Sequence, residues 1–313
     1  MNTVSGYELF KKANNKENSW FKIFYSKYDY ENIADVYRDS GTKFRMNGQW
    51  DLAINAYLCA IRMIEKTDSV YDTIEIYENI AIIYHKNLND IENAIKYTNT
   101  CINICSQTQI VKPINIARMY KTLANLYEQY NDLEKAISCY DSACNIYDMH
   151  NNYRTDIKNC LLRMAELYCK IDKYNQALQT YIKLINLNTS SYRSYVEDSL
   201  LLKVILCYLI IEDIVGAKQF YEKYSAIKMS VTKLIKNIIL AIERNDGDIF
   251  KNSMKEYLYN YKFDNIDNIL ISKIDSVCFD NRSIYNDNIM DKTEQIDNSA
   301  QIDKNETSEC DWT

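Results

Sequence analysis

The chain has 313 residues, of which only 1 is proline and 5 are glycine; a sheet-rich protein of this size needs more turn formers, so the composition points to an all-α fold. A formal net charge of −6 argues against a general nucleic-acid binder. With 10 cysteines but no CxxC pair, and only His85 and His150, a zinc site has little material, and the cysteines are expected to be small buried thiols in a reducing compartment.

Residues 1–17 are polar, with a short helix predicted around Tyr7–Lys12. An aromatic burst with lysines between its rings follows, NSWFKIFYSKY, residues 18–28. Two readings of it are open. It packs on the next helices as an N-terminal cap, or it stands exposed and dips into a bilayer interface, where Trp and Tyr settle and lysine meets anionic lipid.

From 29 to 225 the chain repeats a helical hairpin, clearest in Ile114–Tyr147. Ala124 and Tyr127 share a face of the first helix, and Ala136 and Tyr140 share a face of the second. Asn131-Asp132 between them leaves one helix and caps the next. The first-helix marks are Gly41/Phe44, Ala81/Tyr84, Ala124/Tyr127, Ala165/Tyr168 and Ile205/Tyr208, in steps of 40, 43, 41 and 40. The second-helix alanines are Ala53, Ala94, Ala136, Ala177 and Ala217, and a tyrosine follows four residues later at Tyr57, Tyr140, Tyr181 and Tyr221. One hairpin cannot bury its apolar face alone, so the units are expected to stack. The prediction is a right-handed helical-hairpin solenoid like the tetratricopeptide (TPR-like) designs, with longer helices than their ~34-residue unit.

Beyond Tyr224 the pattern changes. Helices are predicted over Val231–Arg244, Ile249–Tyr261 and Asp264–Val277, with a capped turn at Asp246-Gly247-Asp248. Residues 226–278 are expected to form a C-terminal helical bundle that closes the array, and 279–313 a disordered tail.

No P-loop, GxGxxG, GxSxG or HExxH is present, and the carboxylates fall on solvated helix faces, so a binding module without cofactor is expected rather than an enzyme. With no signal peptide and no apolar run of the ~18 residues a span needs, a soluble cytoplasmic protein is expected.

Taken in order, several stretches over about 18–278 resemble the soluble NSF attachment proteins (SNAPs), nearest the alpha/beta type. SWFKIFYSKYDYENIADVYRDSGTKFRMNGQWDLAINAY is similar to the family's membrane loop and first hairpin, with the turn Asn47-Gly48-Gln49-Trp50. YNDLEKAISCYDSACNIY resembles its central hairpin, NCLLRMAELYCKIDKYNQALQTYIKL the next, and SLLLKVILCYLIIEDIVGAKQFYEKY with the later MKEY its end. The resemblance implies an adaptor that binds the SNARE complex of syntaxin-type proteins at a membrane surface and recruits the hexameric ATPase NSF for its disassembly. It implies a peripheral membrane location and no hydrolysis by the adaptor itself.

The resemblance also implies three contact sets. Trp20 and Phe21 stand at the family's paired phenylalanines, with Phe24 and Tyr25 following, as a membrane loop. Lys112, Arg118, Arg163 and Lys203 match a basic stripe for SNARE binding; Lys158 stands beside Asn159 at one unmatched position, and Arg193 is added as a further base. Glu243, Asp246, Asp248, Asp264 and Asp267 form the candidate acidic face for NSF. The chain departs from the family near its end, where a leucine that stimulates the ATPase is replaced by a stretch running to Asp311-Trp312-Thr313. The alternative is a TPR-like scaffold, or a diverged or decoy SNAP, that binds a helical partner without activating NSF.

Overall fold

The computed structural model describes residues 5–108, 111–150, 152–188, 198–225, 231–260 and 262–279, and among these it contains helices and no strand. Of the tail expected over 279–313, Phe279 is described and packs its ring against Phe250 at 5.2 Å, whereas 280–313 lie outside the described residues. Two compact units, Met1–Met164 and Ala165–Thr313, are taken in turn.

The first unit opens with α1, Gly6–Glu17, started by a capping box in which Ser5 Oγ accepts the Glu8 N–H and Glu8 Oε2 accepts the Ser5 N–H. α1 lies on α2, Lys27–Met46. Tyr7 meets Phe44 edge-on at 4.9 Å and Phe10 meets Tyr37 at 5.3 Å. Ser40 Oγ donates to the Gly6 carbonyl at 2.8 Å, and a Cβ on Gly6 would stand 3.0 Å from the Phe44 ring. The cap of the first hairpin is thus α1 rather than the aromatic burst after it. α3, Trp50–Ile64, pairs with α2. α4, Thr73–Ile82, runs into a π turn at Ile83–Asn87 before α5, Ile91–Thr108. α6, Pro113–Gln129, pairs with α7, Leu133–Asp148, and α8, Arg154–Lys170, crosses into the second unit. That unit continues with α9, Tyr174–Asn188; α10, Asp198–Ile210; α11, Ile214–Ser225; α12, Thr232–Arg244; α13, Gly247–Asn260; and α14, Asn265–Cys278, which packs on α10.

One turn closes every hairpin. Gly48, Asn89, Asn131, Asp172 and Glu212 all take the left-handed conformation, at intervals of 41, 42, 41 and 40. The next N–H then returns to the carbonyl of the aromatic mark: Gln49 to Phe44, Asp132 to Tyr127, Lys173 to Tyr168 and Asp213 to Tyr208, each at 2.9 Å. In the second hairpin the same bond, Asp90 to Tyr84 at 2.8 Å, spans one residue more. The π turn absorbs that extra residue, which accounts for one residue of the 43-residue interval after Ala81.

The closing residue caps the following helix. Asp90, Asp132 and Asp213 accept the N–H of Asn93, Lys135 and Gly216 at 3.0, 3.1 and 2.8 Å. Gln49 makes no such bond, although its backbone (φ −91°, ψ 71°) nearly matches that of Asp132 (φ −95°, ψ 76°). Gln49→Asp should therefore stabilise the first unit by about 1 kcal/mol, seen as a raised urea midpoint; a lowered midpoint would contradict the shared geometry.

The alanine marks are fully buried at all five positions. At Gly41 a Cβ would lie 2.7 Å from the Tyr57 ring, so the ring of α3 leaves no room for a larger residue at this position of α2. Tyr57, Tyr140 and Tyr181 fill the space beside the alanines, their hydroxyls against Thr42, Asn125 with Glu128, and Cys169.

The closing bundle begins with a sixth hairpin. Asn245 is left-handed, Asp246 N–H bonds the Ala241 carbonyl at 2.8 Å, and Asp246 Oδ1 accepts the Ile249 N–H at 3.0 Å. Fully buried Phe250 and Met254 stand where the other units carry alanine and tyrosine, which hid the repeat from its marks. No helix among the described residues is long and apolar enough to cross a membrane. The nine cysteines among them form no disulfide; eight are buried, as expected.

Asp275 on α14 is buried, and neither carboxyl oxygen has a hydrogen-bond partner among the described residues. Burial pushes its carboxyl above the usual range, opposed only by the Lys251 ammonium. A raised carboxyl contributes stability that is fully present below the unfolded value, about pH 4, and is lost as pH rises through the folded value. Asp275→Asn should thus be the more stable protein at pH 7, by on the order of 1 kcal/mol, with the advantage gone near pH 4. Urea melts at both pH values decide it: an advantage independent of pH would exclude this cause.

Candidate functional site

The aromatic segment forms a 3-10 turn, Trp20–Phe24, started by Ser19 Oγ accepting the Phe21 N–H at 3.2 Å. Trp20, Phe21, Ile23 and Phe24 are 85%, 67%, 72% and 77% exposed. These four side chains form a cluster of large apolar groups that the fold leaves in solvent. Tyr25 differs. Its hydroxyl donates to the Lys16 carbonyl at 3.0 Å and its ring packs edge-on against Tyr30 at 5.8 Å, so it pins the base of the turn instead of joining the tip. Ile23 joins this exposed tip although, being aliphatic, it carries none of the ring signal that marks the segment in the sequence.

The basic positions separate once their neighbours are visible. Lys112 precedes α6 and is exposed. Arg118, also exposed, donates to Asn115 Oδ1 at 3.3 Å. Lys158 is half-buried. Arg163 is engaged in an ion pair with Glu128. Lys121, which the sequence did not single out, pairs with Asp156 at 3.4 Å. Arg193 lies outside the described residues.

Lys203 requires a correction. It is 3% exposed, because α14 covers its face of α10. Its ammonium lies 2.5 Å from Ser199 Oγ, 2.6 Å from Asp264 Oδ2 and 3.2 Å from Asp267 Oδ1. Burial alone would lower the ammonium, but Asp267 and Asp264 more than offset it and hold it above the usual lysine range. Lys203 is therefore an internal counter-ion, not a member of an exposed stripe.

The acidic set changes with it. Asp264 and Asp267 form the capping box of α14, each side chain accepting the other's N–H, at 2.9 and 3.1 Å. Asp267 is buried, and burial raises its carboxyl; Asp264 is half exposed, and despite its own desolvation the Lys203 hydrogen bond lowers its carboxyl. Asp267 thus leaves the candidate surface. Glu243 pairs with Lys218, Asp246 caps α13, and Asp248 is exposed.

Comparison with known proteins gives this arrangement a context. The family model described as soluble NSF attachment protein, SNAP, matches residues 5–277. An alpha-soluble NSF attachment protein of Vitis vinifera is 26% identical over 265 residues, covering 82% of this chain and 88% of that protein. The Homo sapiens alpha-soluble NSF attachment protein is 24% identical over 257 residues, covering 80% and 85%. A soluble NSF attachment protein homolog of fowlpox virus is 27% identical over 182 residues, covering 54% and 65%. Because the match runs from the cap helix through the hairpins to α14, the chain belongs to the soluble NSF attachment protein (SNAP) family.

Proposed function

We propose that this protein is a SNAP-type adaptor that binds SNARE complexes at a membrane surface and recruits NSF to take them apart, in vesicle fusion and intracellular transport. The observation that carries the reading is the family match over 5–277, which takes in the exposed aromatic turn, the hairpins and the closing bundle. In this reading Trp20, Phe21, Ile23 and Phe24 meet the bilayer. Lys112, Arg118 and Lys158 meet the acidic SNARE bundle, with Arg163 joining from its ion pair. Glu243, Asp246, Asp248 and the half-exposed Asp264 face basic groups on NSF. The protein acts by presenting surfaces and carries out no chemistry.

The experiment is co-sedimentation with a purified SNARE bundle, followed by addition of NSF and ATP. Binding followed by disassembly supports the adaptor. Binding with no disassembly selects a diverged or decoy SNAP, and absence of binding selects a scaffold for another partner. Within the first outcome, Arg118→Glu should weaken bundle binding severalfold at low salt and less at high salt, since exposed ion pairs are each worth ~0.2–1 kcal/mol and are screened. Equal affinity at both salts would remove Arg118 from the contact.

A further inference from the structure

α6 and α8 face each other at a constant offset of 35 residues: Lys121 meets Asp156, and Glu128 meets Arg163. The two pairs run in opposite senses, a base on α6 to an acid on α8 and then the reverse. On α6 the residues Arg118, Lys121, Asn125 and Glu128 are spaced 3, 4 and 3 apart, which places them along one helix stripe. Two of the bases along this face are therefore already matched by acids of the same chain.

Glu128 is held in this role by two partners. It is 13% exposed, and while Oε2 takes Arg163, Oε1 takes the hydroxyl of buried Tyr140 at 2.7 Å. Arg163 remains 45% exposed, so an approaching carboxylate can reach its guanidinium. Asp156 and Lys121 are both partly exposed, at 3.4 Å, and open to the same competition.

We propose that Glu128 and Asp156 set the strength and selectivity with which this face grips an acidic helical partner, by holding Arg163 and Lys121 in internal ion pairs that the partner's carboxylates must displace. The inference rests on the proposed SNARE-binding function and names a regulation of that surface. A fixed acid beside a base penalises weakly acidic partners, which cannot replace what they break. A strongly acidic rod can replace both pairs, so Glu128 and Asp156 lower affinity for every partner but raise discrimination between them.

The test uses the full chain and a soluble four-helix SNARE bundle, with affinity measured by titration at about 50 and 200 mM salt. Glu128→Gln keeps the acceptor for Tyr140 and removes the charge; Asp156→Asn does the same at the second pair. Each is expected to tighten binding by up to about fivefold, about 1 kcal/mol at 1.4 kcal/mol per decade, with the larger gain at low salt. Arg163→Gln should cost less in the parent, where Glu128 already opposes its contact with the partner, than in the Glu128→Gln background, where it should cancel the gain. Glu92→Gln, which removes an exposed acid from α5, should leave affinity unchanged. If Glu128→Gln fails to fold by circular dichroism, Asp156→Asn with Lys121→Gln carries the same comparison. Parent binding with no gain in the folded variants overturns the inference, as does an equal gain from Glu92→Gln or an equal Arg163→Gln cost in both backgrounds. A parent that does not bind the bundle overturns the proposed function itself.

Discussion

Lys203→Ala is expected to cost about 3–5 kcal/mol of stability in the second unit. Lys203 sits beneath α14 with Asp264 and Asp267, and Asp267 is itself only 5% exposed. Removing the ammonium leaves a buried carboxylate with no counter-ion, which costs far more than an exposed ion pair is worth. Truncation also removes the three methylenes beyond Cβ from the packed contact between α10 and α14. The loss should shrink as pH falls, because protonated Asp267 no longer needs a partner. Denaturant unfolding at pH 7 and pH 4 measures both effects. Lys203→Met combined with Asp267→Leu should recover much of the lost stability, since an apolar replacement of a buried pair is often neutral. If Lys203→Ala melted with the parent and lost only partner binding, the internal role would be wrong and the lysine would return to the basic surface.

Changing Trp20 and Phe21 together to serine should lower partition onto anionic liposomes on the order of 100-fold. Full burial of one such side chain is worth roughly 1.5–3 kcal/mol, and two rings only partly immersed at the interface sum to about 3 kcal/mol. Thermal stability should stay within about 0.5 kcal/mol of the parent, because both side chains are exposed in the fold. Affinity for a soluble SNARE bundle should also be unchanged. Ile23→Ser with Phe24→Ser should reproduce the liposome defect, whereas Tyr25→Phe, which loses only the bond to the Lys16 carbonyl, should disturb the base of the turn and have a smaller effect. Liposome sedimentation compares the set. Parent-like partition of both double variants would exclude the bilayer as the partner of this turn.

The repeat was readable because it is local. Ala136 and Tyr140 reach the same face by helix geometry alone, and Asn131-Asp132 announces a turn and a cap within a few bonds. Even the π turn left a trace, the 43-residue interval after Ala81, although only its backbone showed what the extra residue does. The sixth hairpin escaped because Phe250 and Met254 fill with large side chains the space that alanine and tyrosine share elsewhere. Its left-handed Asn245 is a feature of backbone geometry rather than of composition.

The candidate surfaces were less legible, and the reason is range. Residues 18–28 could be recognised as aromatic, but whether they cap or protrude depended on α1 having already covered Tyr37 and Phe44. Lys203 and Arg163 look alike as bases in a repeat. What separates them is a helix arriving from 61 residues away to bury one, and an acid 35 residues away that pairs with the other at the surface. Local spacing decides which residues share a face, because helix periodicity depends only on near neighbours. Exposure and charge partnership depend on which faces meet across the chain, and this alone separates a buried counter-ion from a surface that can bind.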